Sequence, residues 1–139
     1  MFQKYCYKID KKNRISLPKK LQEYFNEKVF FNRGFDNDNF ILRNKDQMET
    51  FENWLNNLQD TKQANRIIKR HFAINNFLQE IDKNNRLTIP KFICEELKID
   101  KEVVFLFVGK HIELWNPLVL EKQTNNSQIN IKELLENID

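Results

Sequence analysis

Residues 9–25 read IDKKNRISLPKKLQEYF, and residues 81–97 read IDKNNRLTIPKFICEEL. The second stretch begins 72 residues after the first, and eight of the 17 aligned positions are identical. The identities are Ile9/Ile81, Asp10/Asp82, Lys11/Lys83, Asn13/Asn85, Arg14/Arg86, Pro18/Pro90, Lys19/Lys91 and Glu23/Glu95. Ile15/Leu87, Ser16/Thr88, Leu17/Ile89, Leu21/Ile93 and Phe25/Leu97 exchange like for like. Two copies are too few for a solenoid, so a duplicated unit that pairs with its own copy is expected.

Around this stretch the pattern alternates at period two. Tyr5, Tyr7 and Ile9 fall on one side of a strand over residues 4–9. Asp10–Asn13 must turn, and Asn13 is the residue best suited to a left-handed backbone there. Arg14–Leu17 alternates again, which predicts a hairpin with Arg14 at its mouth. Pro18 ends the strand and opens a short helix over Lys19–Phe25. Lys28–Phe31 and Asn39–Arg43 are two further strands, with Gly34 and Asp36–Asn39 turning between them.

Asp46 and Glu49 have the spacing of a capping box, and Met48, Phe51, Leu55 and Leu58 recur at helical steps behind it. Asp60–Thr61 can end that helix and cap another, which runs to about Ile74. The unit then restarts. Phe77–Ile81 and Arg86–Ile89 are strands, Asp82–Asn85 is the same turn, and Phe92–Leu97 is the short helix. Val103–Val108 and Ile112–Trp115 are strands about a Gly109–Lys110 turn. Pro117–Lys122 can open a helix, and Ile131, Leu134, Leu135 and Ile138 share one face of a tail.

A unit of about 40 residues buries too little surface to be stable alone. Two such units can interlock their hairpins into a closed barrel, which removes exposed strand edges. The expected fold is therefore α+β, mainly β: a closed barrel built from two internal repeats of one chain, with connecting helices outside. The expected organisation is a first repeat over residues 1–47, connecting helices over 48–76, a second repeat over 77–122 and a helical tail over 123–139. The two repeats form one domain.

The net charge of +3 is unevenly placed. Residues 1–45 carry +6, residues 46–80 carry −1 and residues 81–139 carry −2. A local basic face is a candidate polyanion footprint, and a solvated surface is the plainer alternative. Cys6 and Cys94 fit no metal or redox spacing and suit a reducing compartment. The opening MFQKYCYKID lacks the apolar core of a secretory signal, and no apolar run is long enough for a membrane span.

No catalytic constellation is present. His71 and His111 lack ligand-spaced partners, so no metal is expected. There is no phosphate-binding glycine loop, with only two Gly in the chain, and Cys94 has no partners suggesting a nucleophile. What remains is the doubled D-x-x-x-R. Asp10 and Asp82 suit the start of a turn, where a carboxylate accepts backbone N–H groups, and Asn13 and Asn85 suit its shape. Arg14 and Arg86 admit two readings. An Arg beside Lys11 and Lys12, or beside Lys83, presents a planar donor fork that suits phosphate and guanine edges. The same Arg can instead pair with Asp10 or Asp82 and only stiffen the loop.

At these residues the chain resembles the MraZ family of bacterial transcriptional regulators. Asp10, Lys12, Arg14, Ile15 and Pro18, and again Asp82, Arg86, Leu87 and Pro90, follow its repeated D-x-K-G-R-[IV]-x-[IL]-P pattern over about residues 1–120. Asn13 and Asn85 stand where the family usually has Gly, and Asn84 stands where the first copy has Lys12. The resemblance implies the swapped-hairpin barrel of AbrB-like proteins and ring-like homo-oligomers. It also implies binding of double-stranded DNA at short promoter repeats upstream of the cell-division and cell-wall gene cluster.

The expected function is thus a sequence-specific DNA-binding regulator, cytoplasmic and nucleoid-associated, with no cofactor, no small-molecule substrate and no enzymatic activity. Arg14 is expected to read base edges, with Lys11, Lys12 and Lys83 on phosphates. Arg86 and Asn84 contribute from the second loop, and the first loop carries more of the contact. The alternative from another class is an antitoxin-like module that uses the barrel to dock a protein, with the apolar stripe of 131–138 as its mark.

Overall fold

The computed structural model of the chain describes residues 1–128 and 130–138. The first copy supplies β1 (Phe2–Lys8), β2 (Arg14–Ser16), α1 (Lys19–Phe25), β3 (Lys28–Arg33) and β4 (Phe40–Arg43). Two helices follow, α2 (Lys45–Asn56) and α3 (Gln63–Ile74). The second copy repeats the series as β5 (Asn76–Glu80), β6 (Arg86–Thr88), α4 (Lys91–Glu96), β7 (Glu102–Val108) and β8 (Ile112–Trp115). The chain closes with α5 (Pro117–Gln128) and α6 (Ile131–Glu136).

The duplication sets the topology. Six strands form one antiparallel sheet in the order β1-β7-β8-β4-β3-β5, and β2 pairs with β6 in a separate ribbon. Exchanging the copies (β1 for β5, β3 for β7, β4 for β8) reverses the sheet order onto itself. The fold therefore has a local two-fold axis, with every terminal strand paired to the other copy. Tyr7 faces Val103 just as Gln79 faces Val29, so the third strands correspond at an offset of 74 and not 72.

Two expectations change here. The strands before and after each loop do not form a hairpin ladder with one another. Asp10 and Arg14 share one backbone hydrogen bond at 3.0 Å, after which β1 departs to β7 and β2 to β6. The side chains explain the parting. Tyr5 and Tyr7 pack edge-on against Phe107 and Phe105, at 5.5 and 5.1 Å between ring centres. Ile15 lies opposite Leu87, and both are completely buried. Each arm thus meets its apolar partner across the copy boundary.

The ladder is also not closed into a continuous barrel among the described residues: β1 and β5 end the sheet, and the ribbon stands apart. Each ribbon strand has three residues and soon meets Pro18 or Pro90. A proline has no N–H to extend a ladder.

One core lies between the sheet, the ribbon and the two short helices. It contains Ile15, Leu17, Leu21 and Phe25 from the first copy and their counterparts Leu87, Ile89, Ile93 and Leu97, packed on Phe31, Phe105 and Leu114. The helix α2 lies on the other side of β4, where the Arg43 guanidinium sits 4.0 Å from the centre of the Phe51 ring. Its cap is Asn44, which exchanges hydrogen bonds with Gln47, two residues before the expected Asp46–Glu49 pair. Asp60 does not cap α3 either; its carboxylate takes Lys69 at 2.6 Å. No helix among the described residues is long and apolar enough to cross a membrane.

Candidate nucleic-acid interface

The two loops have matching internal hydrogen bonds. Asp10 Oδ1 accepts the amides of Lys12 and Arg14, each at 2.9 Å, and Oδ2 accepts Arg14 Nε at 2.8 Å. Asp82 Oδ1 accepts the amides of Asn84 and Arg86 at 2.8 and 2.9 Å, and Oδ2 accepts Arg86 Nε at 3.0 Å. Asn13 and Asn85 complete the turns with φ of 61° and 57°, the left-handed conformation that Asn tolerates. Both carboxyls are held below the ordinary aspartate value. The chief cause is the amide of Arg14 or Arg86, helped by that residue's side chain and by the amide of Lys12 or Asn84.

The ribbon positions the arginines. Arg14 stands opposite Thr88, Ser16 opposite Arg86, and Ile15 opposite Leu87. Partners in an antiparallel pair project to the same side, and alternate residues share a face. Ile15 and Leu87 face the core with no exposure, so Arg14, Ser16, Arg86 and Thr88 form the outer face. The diagonal from Arg14 to Arg86 spans about 7–8 Å between Cα atoms. Each arginine side chain keeps part of its surface in solvent, 26% for Arg14 and 30% for Arg86.

Of the two sequence readings of the arginines, the structure shows the loop-stiffening pair. The ion pair forms, and it engages Nε. The two terminal nitrogens of each guanidinium have no hydrogen-bond partner among the described residues. A planar fork fixed at its base and open at its tip suits a phosphate or the edge of a guanine. Lys11, Lys12, Lys83 and Asn84 are exposed at the loop tips. The loops stand at opposite ends of the ribbon and are tied across it. The Asn13 carbonyl accepts the Ile89 amide at 2.8 Å, and the Asn85 carbonyl accepts the Leu17 amide at 3.0 Å.

Beside Arg14 lies a cleft of about 340 Å³ lined by Tyr7, Lys8, Ile9, Asp10, Arg14 and Ser16. The sequence reading singled out neither Lys8 nor Ser16 for this face. The alternation of β2 already places Ser16 beside Arg14, whereas Lys8 joins only through the turn between β1 and β2. A larger cavity of about 540 Å³ lies against α2 and contains none of the loop residues; Arg43, Phe51, Trp54 and His111 line it.

Residues 1–71 and 72–138 each match the family described as "MraZ protein, putative antitoxin-like". A transcriptional regulator MraZ of Thermoanaerobacter sp. (strain X514) is 33% identical over 135 residues, covering 97% of this chain and 94% of the relative. The transcriptional regulator MraZ of Mycoplasmoides gallisepticum is 34% identical over the same length and the same shares. That of Caldanaerobacter subterraneus is 32% identical, again with 97% and 94% covered.

Proposed function

The chain belongs to the MraZ family and is a transcriptional regulator, not an enzyme; from that premise we propose that it binds double-stranded DNA sequence-specifically through the outer face of the β2–β6 ribbon. The observation that carries this reading is the pair of partly exposed arginine side chains, each held at Nε by a carboxylate and each open at its terminal nitrogens among the described residues. In this proposal Arg14 reads base edges, with Arg86 as a second reader or phosphate clamp. Lys11, Lys12 and Lys83 hold phosphates. Asp10, Asp82, Asn13 and Asn85 shape the loops, and Asn84 contributes at the second tip.

The two repeats act as a single domain of the swapped-hairpin kind, with the ribbon completing what the open sheet leaves uncovered. Several copies assemble, in a ring, and act at repeated promoter elements of the cell-division and cell-wall gene cluster, on the cytoplasmic nucleoid. One protomer offers few contacts, and linked sites gain through effective concentration. Head-to-tail copies favour directly repeated elements.

A salt series with promoter DNA tests the reading, because phosphate contacts make affinity fall steeply with salt. Arg14→Ala costs about 1–3 kcal/mol and relaxes sequence preference. A folded Arg14→Ala protein that binds like the parent sinks the assignment. A second reading, protein docking, draws on the exposed Ile131, Leu134, Leu135 and Ile138 of the tail. Removing the tail then abolishes partner capture and spares DNA binding.

A further inference from the structure

The local two-fold axis passes between Ile15 and Leu87 and leaves the ribbon through the face that carries Arg14 and Arg86. A half-turn about it replaces Arg14 by Arg86, Ser16 by Thr88 and each Asp-held loop by the other. A duplex laid on this face meets nearly the same surface whichever way round the protomer sits. Directed binding therefore depends on positions where the copies differ.

At the loop bases Tyr7 corresponds to Gln79, and Lys101, whose carbonyl accepts the Ile9 amide, corresponds to Glu27, whose carbonyl accepts the Ile81 amide. The ribbon and the loop tips are more alike. Lys11/Lys83, Asn13/Asn85 and Lys19/Lys91 are identical, and Ser16/Thr88 both carry a hydroxyl. Lys8 and Glu80 have opposite signs, but Lys8 stands opposite Glu102 in β1–β7, and Glu80 opposite Lys28 in β3–β5. Each strand end is a neutral pair.

Lys20 and Phe92 differ, yet both turn onto their own strand. The Lys20 ammonium donates to the Tyr5 hydroxyl at 2.8 Å, and Phe92 packs on Phe77 at 4.6 Å. At the loop tips themselves the one difference is Lys12 against Asn84. Their amides make the same bond to Asp10 or Asp82, so the backbones match. Both side chains are exposed at the loop tips and have no partner among the described residues.

We propose that Lys12 and Asn84, one charge of difference at two otherwise matched loop tips, fix the direction in which a protomer sits on duplex DNA. The proposal rests on the DNA-binding reading above. One extra phosphate contact changes the salt slope of binding by about one unit. In an assembly of head-to-tail copies, the same preference acts once per protomer, so a small bias is multiplied along repeated elements.

The test uses the full chain with Cys6→Ser, Lys8→Cys and Glu102→Gln, so that this strand end stays neutral, carrying an iron-chelate cleavage reagent at position 8, on an element selected from random DNA. In the parent, cleavage is expected on one flank. With Asn84→Lys it is expected on both flanks equally, and the salt slope rises by about one unit. With Lys12→Asn and Asn84→Lys together it moves to the other flank. Cleavage that stays on the parental flank in the exchanged variant, or that already falls on both flanks in the parent, overturns the proposal. A complex that still shifts on a gel but is not cut places the DNA elsewhere and sinks the assignment of the ribbon face as the DNA surface. Equal binding by the Arg14→Ala, Arg86→Ala double variant does the same.

Discussion

The main-chain carbonyl of Asn13 accepts the amide of Ile89 at 2.8 Å, so the tip of the first loop is anchored to a strand end of the second copy. The left-handed turn at Asn13 aims that carbonyl, with φ at 61°. Replacing Asn13 by Val puts a β-branched residue where left-handed backbone costs even an ordinary L-residue about 1–2 kcal/mol. Asn13→Val should lose at least that much in chemical denaturation, and Asn13→Gly should stay near the parent. Equal midpoints for the two variants would show that the loop does not hold this conformation in solution.

Asp10 and Asp82 make stability depend on pH in a definite sense. Their folded-state pKa values lie below the ordinary 3.8, first because of the Arg14 and Arg86 amides. A depressed value means that the stabilisation is present above the unfolded pKa and is lost as pH falls through the folded one. Replacing both by Asn should lower the melting temperature at neutral pH. The gap to the parent should narrow as the pH drops past 3.8. A gap of constant width on acidification would remove the carboxylates from the account.

Arg43 is buried with 8% exposure, and its Nη1 donates to Asn32 Oδ1 at 2.5 Å. Burial lowers its pKa to about 10, which leaves it charged near neutrality. Arg43→Met strands the Asn32 oxygen and should cost about 1–3 kcal/mol. Adding Asn32→Leu, the residue that the second copy has in the matching place at Leu106, should recover part of that loss. Additive losses in the double variant would show that the two side chains do not act as a pair.

The two thiols should differ sharply in reactivity. Cys6 is exposed on β1, whereas Cys94 is buried in the core with its pKa pushed up to about 11 by desolvation. The thiolate is the reactive form. An aromatic disulfide reagent should titrate one thiol in the native protein and two in denaturant. Cys6→Ser should leave the native protein unreactive.

Much of the molecule is readable from local pattern. The Ile112–Trp115 strand and the Lys19–Phe25 helix fall where alternation and the four-residue step place them. The left-handed asparagines follow from their chemistry. The strand partners do not follow from that pattern. Nothing in Phe2–Lys8 states that its ladder lies in Glu102–Val108 and not across its own loop, because both alternatives satisfy the same period. The choice belongs to Tyr5 and Tyr7 finding Phe107 and Phe105, a packing preference with no local signature. The capping pair Asn44–Gln47 has the same spacing as Asp46–Glu49, and only the position of Asn44 after β4 decides between them. The Asn32–Arg43 pair is hidden for another reason: both polar residues occupy outward positions of strands that α2 covers.

The pairing of Phe2 with Val108 also has a consequence during synthesis. The first strand leaves the ribosome with no partner yet made. At about 5–20 residues per second, roughly 5–20 s pass before its complement is translated. Throughout that interval the nascent chain offers an unmatched edge bearing Phe2, Tyr5 and Tyr7, the kind of surface that other chains can capture. The long loop that must then close makes folding slow for a chain of this size. A message cut short within the second copy would release a product whose opening strand can never be satisfied by its own sequence.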